Sequence, residues 1–268
     1  MAVTSANGID LSYTESGSGD PVLLVMGTGG RGHVWNLHQV PALHRAGYRT
    51  ITFDNRGISP SSTPDRFTLD DMVGDTVALI EKLGLAPCRI VGVSLGAFIA
   101  QELLVIRPEL VDQAVLMATR GRTDVLRAAM SEADLAACDA AGRPSGQEAV
   151  SRVLQNLSPR TQNDDALVRD WLDLFEMSPQ YHPGARAQLA LDRIPDRRSA
   201  YAGIRTPTLV MSFRDDVICP PHLGREVADV IAGSQYVEVA DSGHLGYLER
   251  PEAVNSEIVK FFSDHRRR

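Results

Sequence analysis

Ser94 stands in Gly92-Val93-Ser94-Leu95-Gly96, between a short β-branched run, Cys88-Arg89-Ile90-Val91, and a helix-favouring segment over residues 97–104. Strand, sharp turn with a serine at its apex, then helix is an arrangement that lifts a hydroxyl clear of a sheet. It also aims the first amides of the helix at whatever the hydroxyl attacks. Flanking glycines suit a tight turn whose backbone packs closely on its neighbours. A serine hydroxyl is a weak nucleophile until a base takes its proton, and that base needs an acid to orient it. Two later strand-to-loop junctions offer such groups: Arg214-Asp215-Asp216-Val217 and Asp241-Ser242-Gly243-His244. Of seven histidines, His244 alone follows a predicted strand in a glycine-flanked loop, so it is the candidate base. The acid is Asp215 or Asp216.

Attack on an acyl carbon creates an oxyanion, which preorganised N–H donors stabilise. The amide of Leu95, directly after the serine, is one candidate donor. The amide of Thr28 is the other, in a loop where Gly27, Gly29 and Gly30 allow close approach to a substrate. The same loop, Gly27-Thr28-Gly29-Gly30-Arg31-Gly32, also fits a dinucleotide-binding fingerprint, with Asp54 where a ribose-binding acid would stand. Against that reading, the bulky His33-Val34-Trp35 follows where a helix must start and pack tightly, and the ordered Ser94, acid and His244 would be coincidence.

The elements that must position these groups alternate. Strands are expected over residues 9–13, 22–26, 48–54, 88–91, 112–117, 208–213 and 236–240. Helices are expected over 34–46, from the Thr68 cap to Leu83, after the serine turn, and over 224–231 and 251–263. Alternation of this kind implies a doubly wound, mostly parallel α/β sheet. The first strands, joined near Gly17-Ser18-Gly19, are expected to form an antiparallel edge. Residues 120–202 break the alternation with helices near 124–141, 147–157, 165–177 and 185–191, punctuated by prolines. The organisation expected is a core of residues 1–119 and 203–268 with a helical cap, 120–202, inserted over the carboxyl edge of the sheet. Trp171, Phe175, Met177, Tyr181 and His182 of that cap are candidates to line a pocket beside Gly27 and Gly29, the plainer alternative being that they pack the cap onto the core. Arg31 and Arg120, in loops near the expected mouth, could meet a carboxylate, the plainer reading being solvated surface.

A chain of 268 residues, 43% hydrophobic and 23% charged, has the composition of an ordinary soluble globular protein. Its net charge of −7 argues against nucleic acid or anionic membranes as partners. The three cysteines are scattered, with neither disulfide nor metal-ligand spacing. The stretch from Met1 to Gly8 lacks an apolar signal region and no run is long enough to span a bilayer, so a reducing cytoplasm is the expected compartment.

With these residues in place the chain resembles the α/β-hydrolase superfamily along essentially its whole length. It is similar to the capped subgroup of esterases, enol-lactonases, cofactor-free haloperoxidases and C–C hydrolases. Met26-Gly27-Thr28-Gly29-Gly30 with Trp35 and Pro41-Ala42-Leu43 matches that group's oxyanion loop, with Met26 where His is usual. Phe53-Asp54-Asn55-Arg56-Gly57 with Ser61 matches a structural turn, with Ser59 where Gly is usual. Gly243-His244 and Arg250-Pro251-Glu252 match the C-terminal signature. The resemblance favours Asp216 as the acid, four residues before Pro220. It implies a serine hydrolase that cleaves an ester, thioester or lactone of a small molecule through an acyl-enzyme, with no cofactor and no metal. The same triad also serves perhydrolysis, acyl transfer, lyase and C–C cleavage, and a non-catalytic ligand-binding relative is the remaining alternative.

Overall fold

The computed structural model describes residues 1–140, 146–177 and 183–264. Its strands are β1 (Ala2–Ala6), β2 (Ile9–Gly17), β3 (Asp20–Val25), β4 (Tyr48–Phe53), β5 (Cys88–Val93), β6 (Val111–Met117), β7 (Thr208–Phe213) and β8 (Gln235–Val239). They form one sheet in the order β1-β2-β4-β3-β5-β6-β7-β8. The β1–β2 and β2–β4 pairs are antiparallel and every later pair is parallel. The helices of the core are α1 (Gln39–Arg45), α2 (Leu69–Lys82), α3 (Leu95–Ile106), α10 (Pro221–Val230), α11 (Gly246–Glu249) and α12 (Pro251–Asp264). Between β6 and β7 come α4 (Val125–Ala140), α5 (Gly146–Asn156), α6 (Pro159–Gln162), α7 (Asp165–Met177), α8 (Pro183–Leu189) and α9 (Arg198–Tyr201), with no strand among the described residues.

One layer joins α1, α11 and α12, and the other joins α2, α3, α9 and α10. Helices on both faces explain why β5 and β7 are buried at every residue and read as continuous apolar runs rather than alternating ones. A single apolar cluster runs through this sandwich, and a small separate one (Ala149, Val153, Leu157, Phe175) lies within the insertion. Thr68 and Asp71 close the capping box that starts α2, as the Thr68 cap predicts.

Two expectations are corrected. The strands flanking Gly17-Ser18-Gly19 do not pair with each other: β4 lies between β2 and β3, and the antiparallel edge is β1–β2. The link passes so near the Gly47 backbone that a Cβ on Gly19 would stand 2.2 Å from the Gly47 carbonyl oxygen, and Gly19 has φ of +98°. The helix expected over 34–46 is a 3₁₀ turn, Gly32–Leu37, followed by α1. The break at His38 puts Pro41 in the first turn of α1, where its missing N–H leaves no intrahelical bond unmade.

The two stems of the insertion are laced to each other, and the second of them to the core. Arg197 N–H donates to Gly121 O at 2.8 Å, and Thr123 N–H to Ile194 O at 3.2 Å. Arg197 forms a bidentate pair with buried Glu102, which also accepts from Tyr201. None of the described helices is long and apolar enough to cross a membrane.

Candidate active site

The Ser94 turn depends on its glycines. A Cβ on Gly92 would lie 2.4 Å from Gly96 O, and one on Gly96 would lie 2.2 Å from Val25 O. With both backbones in close approach, Ser94 is held at φ 53°, ψ −120°, where an L-residue is strained by about 1–3 kcal/mol. The surrounding bonds fix that geometry: Ser94 N–H donates to Met117 O at 3.0 Å, and Ala97 and Phe98 N–H donate back to Ser94 O. Helix α3 therefore starts immediately after the serine, and the Leu95 N–H has no intrahelical carbonyl to meet.

Of the two adjacent acids, Asp216 is the one that meets the histidine. Its Oδ2 lies 2.8 Å from His244 Nδ1, and its Oδ1 accepts from the Ile218 and Cys219 amides, each at 2.8 Å. A carboxylate only accepts, so Nδ1 carries the proton and Nε2 of the neutral ring keeps its lone pair. Asp215 is half-buried on the other side of the loop. Burial first, then the charges of Asp241 and Glu249, raises its carboxyl above the usual range. Among the described residues no hydrogen bond joins Ser94 Oγ to His244. The three groups follow β5, β7 and β8 at the carboxyl edge of the parallel sheet, where open α/β sheets place their ligands.

The His244 loop is clasped by residues with no sequence signal. Glu249 accepts from Gly243 N–H at 2.6 Å and from the Ser158 amide and hydroxyl at 2.9 and 2.8 Å. Leu245 N–H donates to Asn156 O at 3.1 Å, so the insertion reaches the histidine loop directly.

The glycine-rich loop lies against the serine: a Cβ on Gly27 would stand 3.2 Å from Ser94 Cβ. Gly30 N–H is used by Gly27 O at 3.1 Å, and Gly29 N–H by Gln188 Oε1 of α8 at 2.8 Å. Among the described residues the Thr28 amide meets no acceptor, nor does that of Leu95. The loop is held from beneath by Asn55 Nδ2 on Met26 O and by Asp54 Oδ1 on Gly32 N–H, both at 2.8 Å. Asp54 is thus a loop anchor, which removes the ribose-binding role from the dinucleotide reading. Met26 is buried, with the Tyr247 hydroxyl 3.7 Å from its sulfur.

The remaining candidates fall elsewhere. Phe175 belongs to the insertion's own cluster, with Trp171 partly buried against it at a ring separation of 5.4 Å. That cluster also touches Leu245, beside His244. Met177 is exposed. Tyr181 and His182 lie outside the described residues. Arg31 is exposed, but Arg120 is neither solvated nor at a mouth. It is fully buried, pairs with Asp192 at 2.7 Å and contacts Cys219 Sγ and Ile218 O of the acid loop.

A family model described as the alpha/beta hydrolase fold matches residues 20–251. The chain belongs to that family. It is 51% identical over 95% of its length, and 98% of the relative's, to a protein of Mycobacterium tuberculosis provisionally named as a non-heme bromoperoxidase, BpoC. The crystal structure of BpoC superposes with a TM-score of 0.92 at 50% identity, covering 96% of this chain and 97% of that one. A provisionally named carbamate hydrolase, RutD of Variovorax paradoxus, is 26% identical over 91% of this chain and 92% of its own. The enol-lactonase of Burkholderia xenovorans shares the fold, with a TM-score of 0.83 at 24% identity over 98% of this chain and all of its own (100%). Relatives of this family are enzymes, and so is this chain.

Proposed function

We propose that this enzyme is a serine hydrolase that opens an ester, thioester or lactone of a small molecule through an acyl-enzyme, with the helical insertion as its cap. The observation that carries the reading is the 2.8 Å bond from Asp216 to His244 Nδ1, with Ser94 on a strained turn at the same sheet edge. With Nδ1 tied to Asp216, Nε2 takes the Ser94 proton as Oγ attacks the acyl carbon. The Thr28 and Leu95 amides hold the resulting oxyanion, each worth about 2.7–4 kcal/mol. The protonated His244 then gives its proton to the leaving alcohol, thiol or enol oxygen. Water repeats the sequence in reverse, releasing the acid and restoring Ser94.

Intact-mass analysis after a fluorophosphonate probe, with turnover of a p-nitrophenyl ester series, tests the reading. Wild type should gain one probe adduct and turn over the ester; Ser94→Ala should do neither. Adduct formation that persists in Ser94→Ala overturns it.

The likeness to BpoC at 51% identity favours one second reading, in which hydrogen peroxide replaces water as acceptor. Peroxide oxygen would then attack the acyl carbon, Ser94 Oγ would leave with the proton from His244, and the released peracid would oxidise bromide. Bromide oxidation that needs a carboxylic acid, peroxide and Ser94 together would distinguish this route from simple hydrolysis.

A further inference from the structure

His244 has a seat that its own loop does not supply. The backbone amides on either side of it are both spent on one short segment of the insertion, Asn156-Leu157-Ser158. Leu245 N–H donates to Asn156 O at 3.1 Å. Gly243 N–H donates to Glu249 Oε2 at 2.6 Å, and the other oxygen of that carboxylate takes the amide and the hydroxyl of Ser158 at 2.9 and 2.8 Å. Ser158 is fully buried, where a donor left without an acceptor is costly. The approach is too close for any side chain: a Cβ on Gly243 would stand 2.5 Å from Asn156 O. The Leu245 side chain completes the contact by packing on the insertion's apolar cluster, which includes Leu157.

The histidine ring itself is tied at one end, where Nδ1 meets Asp216. How far Nε2 reaches toward Ser94 therefore depends on where the backbone of residue 244 stands. On the core side the loop is held two residues earlier, by Asp215 N–H on Ser242 O at 2.9 Å. At Gly243 and Leu245 the partner is the insertion or leads to it. A further link between the two parts, Arg160 to Asp241, is exposed on both sides, and pairs of that kind contribute little.

We infer that Glu249 is a positioning residue for His244: it carries the seating of residues 156–158 to the histidine backbone and so sets the reach of Nε2 toward Ser94. It touches no reacting atom. The inference rests on the serine-hydrolase reading for the task of Nε2, though not for the placement of the ring. A carboxylate suits this position because its two oxygens accept from two directions at once, and such charge-assisted bonds are short and directional. A glutamine has one acceptor oxygen and turns an NH₂ toward the other set of donors, so it can serve Gly243 or Ser158 but not both. The insertion is then part of the triad's framework as well as a cover over it.

The test compares wild type, Glu249→Gln, Ser158→Ala and Arg160→Ala in p-nitrophenyl ester turnover, fluorophosphonate labelling rate and the low-field proton resonance of His244 Nδ1–H. Glu249→Gln should lower kcat by about 10- to 100-fold, the cost of misplacing a catalytic group by about 1 Å, with KM changed by less than about 2-fold. Its labelling rate should fall in parallel, and its Nδ1–H signal should broaden through faster exchange with water. Ser158→Ala removes one donor and keeps the backbone amide, so its kcat should fall by about 3- to 10-fold; it decides the matter if Glu249→Gln does not fold. Arg160→Ala breaks only the exposed link and should stay within about 2-fold of wild type in every readout. A Glu249→Gln protein that loses Tm but keeps wild-type kcat, labelling rate and Nδ1–H signal shows a merely structural carboxylate and overturns the inference. So does wild-type kcat in Ser158→Ala, or an equal loss in Arg160→Ala. Labelling of wild type separates the two levels: its absence refutes the nucleophile, while equal labelling of wild type and Glu249→Gln refutes only the positioning role.

Discussion

Gln188→Met tests whether the insertion sets the glycine-rich loop that carries Thr28, the proposed oxyanion donor. Gln188 is fully buried and spends both halves of its amide: Oε1 accepts from Gly29 N–H at 2.8 Å, and Nε2 donates to Arg56 O at 2.7 Å. Methionine keeps the volume and removes both bonds. An orphaned buried group costs about 1–3 kcal/mol. Gly29 is half-buried, so water can replace its acceptor, whereas Arg56 is buried and its carbonyl carries most of the penalty. The net loss should be roughly 1.5–3 kcal/mol, a fall in Tm of roughly 3–12 °C for a chain of this size. Released Gly29 also loosens the neighbouring Thr28 amide. If half of one oxyanion donor's worth is lost, kcat falls by about 10- to 30-fold. Gln188→Glu sharpens the test. A carboxylate there can accept from Gly29 N–H but opposes the Arg56 carbonyl lone pair unless it is protonated. Its folded pKa should therefore lie above the unfolded value of about 4.3. A raised carboxyl pKa means stability that is full below the unfolded value and is lost as pH rises through the folded one. Thermal melts and p-nitrophenyl ester kinetics across pH 5–8 (the usual assay range, about neutral) read both effects. Wild-type Tm and kcat in Gln188→Met, or a Gln188→Glu protein without pH dependence, would refute the strut.

Asp216→Asn should lower kcat by about 10⁴-fold with little change in KM. The Ile218 and Cys219 amides will hold the new carbonyl oxygen, turning the NH₂ toward Nδ1 and forcing the wrong histidine tautomer; Asp215→Asn should change kcat by less than about 3-fold, since a half-buried neighbour affects only the local charge. At the start of α2, Thr68→Ala should cost about 1 kcal/mol by chemical denaturation. The Thr68 backbone N–H first, and its hydroxyl second, hold the Asp71 carboxyl below the ordinary value of 3.8. A depressed pKa gives stability present above the unfolded value and lost as pH falls through the folded one, so the Tm gap between wild type and Asp71→Asn should close on acidification.

The sheet was legible because its inner strands are buried on both faces and so carry apolar runs, as in Ile90-Val91 and Leu209-Val210-Met211. The edge strand β1, Ala2–Ala6, was not: its residues are small or polar and mostly exposed, and its partner supplies the pairing. Ser94 and His244 were legible because strand ends and glycines frame them. The choice between Asp215 and Asp216 was open in the residues themselves and is made by backbone direction after β7, which turns one side chain inward and the next-door one out. Gln188 and Glu249 carried no signal at all. Gln188 is an ordinary helical residue whose partner Gly29 lies 159 positions away, and only the fold brings the two together.

These illegible residues explain a motif that was legible but had no task. The turn at Asp54–Gly57 contains no reacting group, yet several of its polar atoms hold the glycine-rich loop beside Ser94, directly or through Gln188. Asp54 and Asn55 fix the two ends of the glycine-rich loop from below, and Arg56 is locked by a bidentate pair with buried Asp75. That lock leaves the Arg56 carbonyl fixed as the acceptor for Gln188, which fixes Gly29 from above. At Gly184, next along the same contact, the backbones touch so closely that any Cβ would overlap the Gly57 carbonyl. The loop that presents Thr28 is therefore clamped between the core turn and the insertion. A movement of α8 therefore acts on the loop that carries Thr28, the proposed oxyanion donor. If the insertion is the cap proposed above, a substrate that seats it poorly should lose kcat as well as affinity, because the same helix that meets the substrate also holds the loop carrying Thr28.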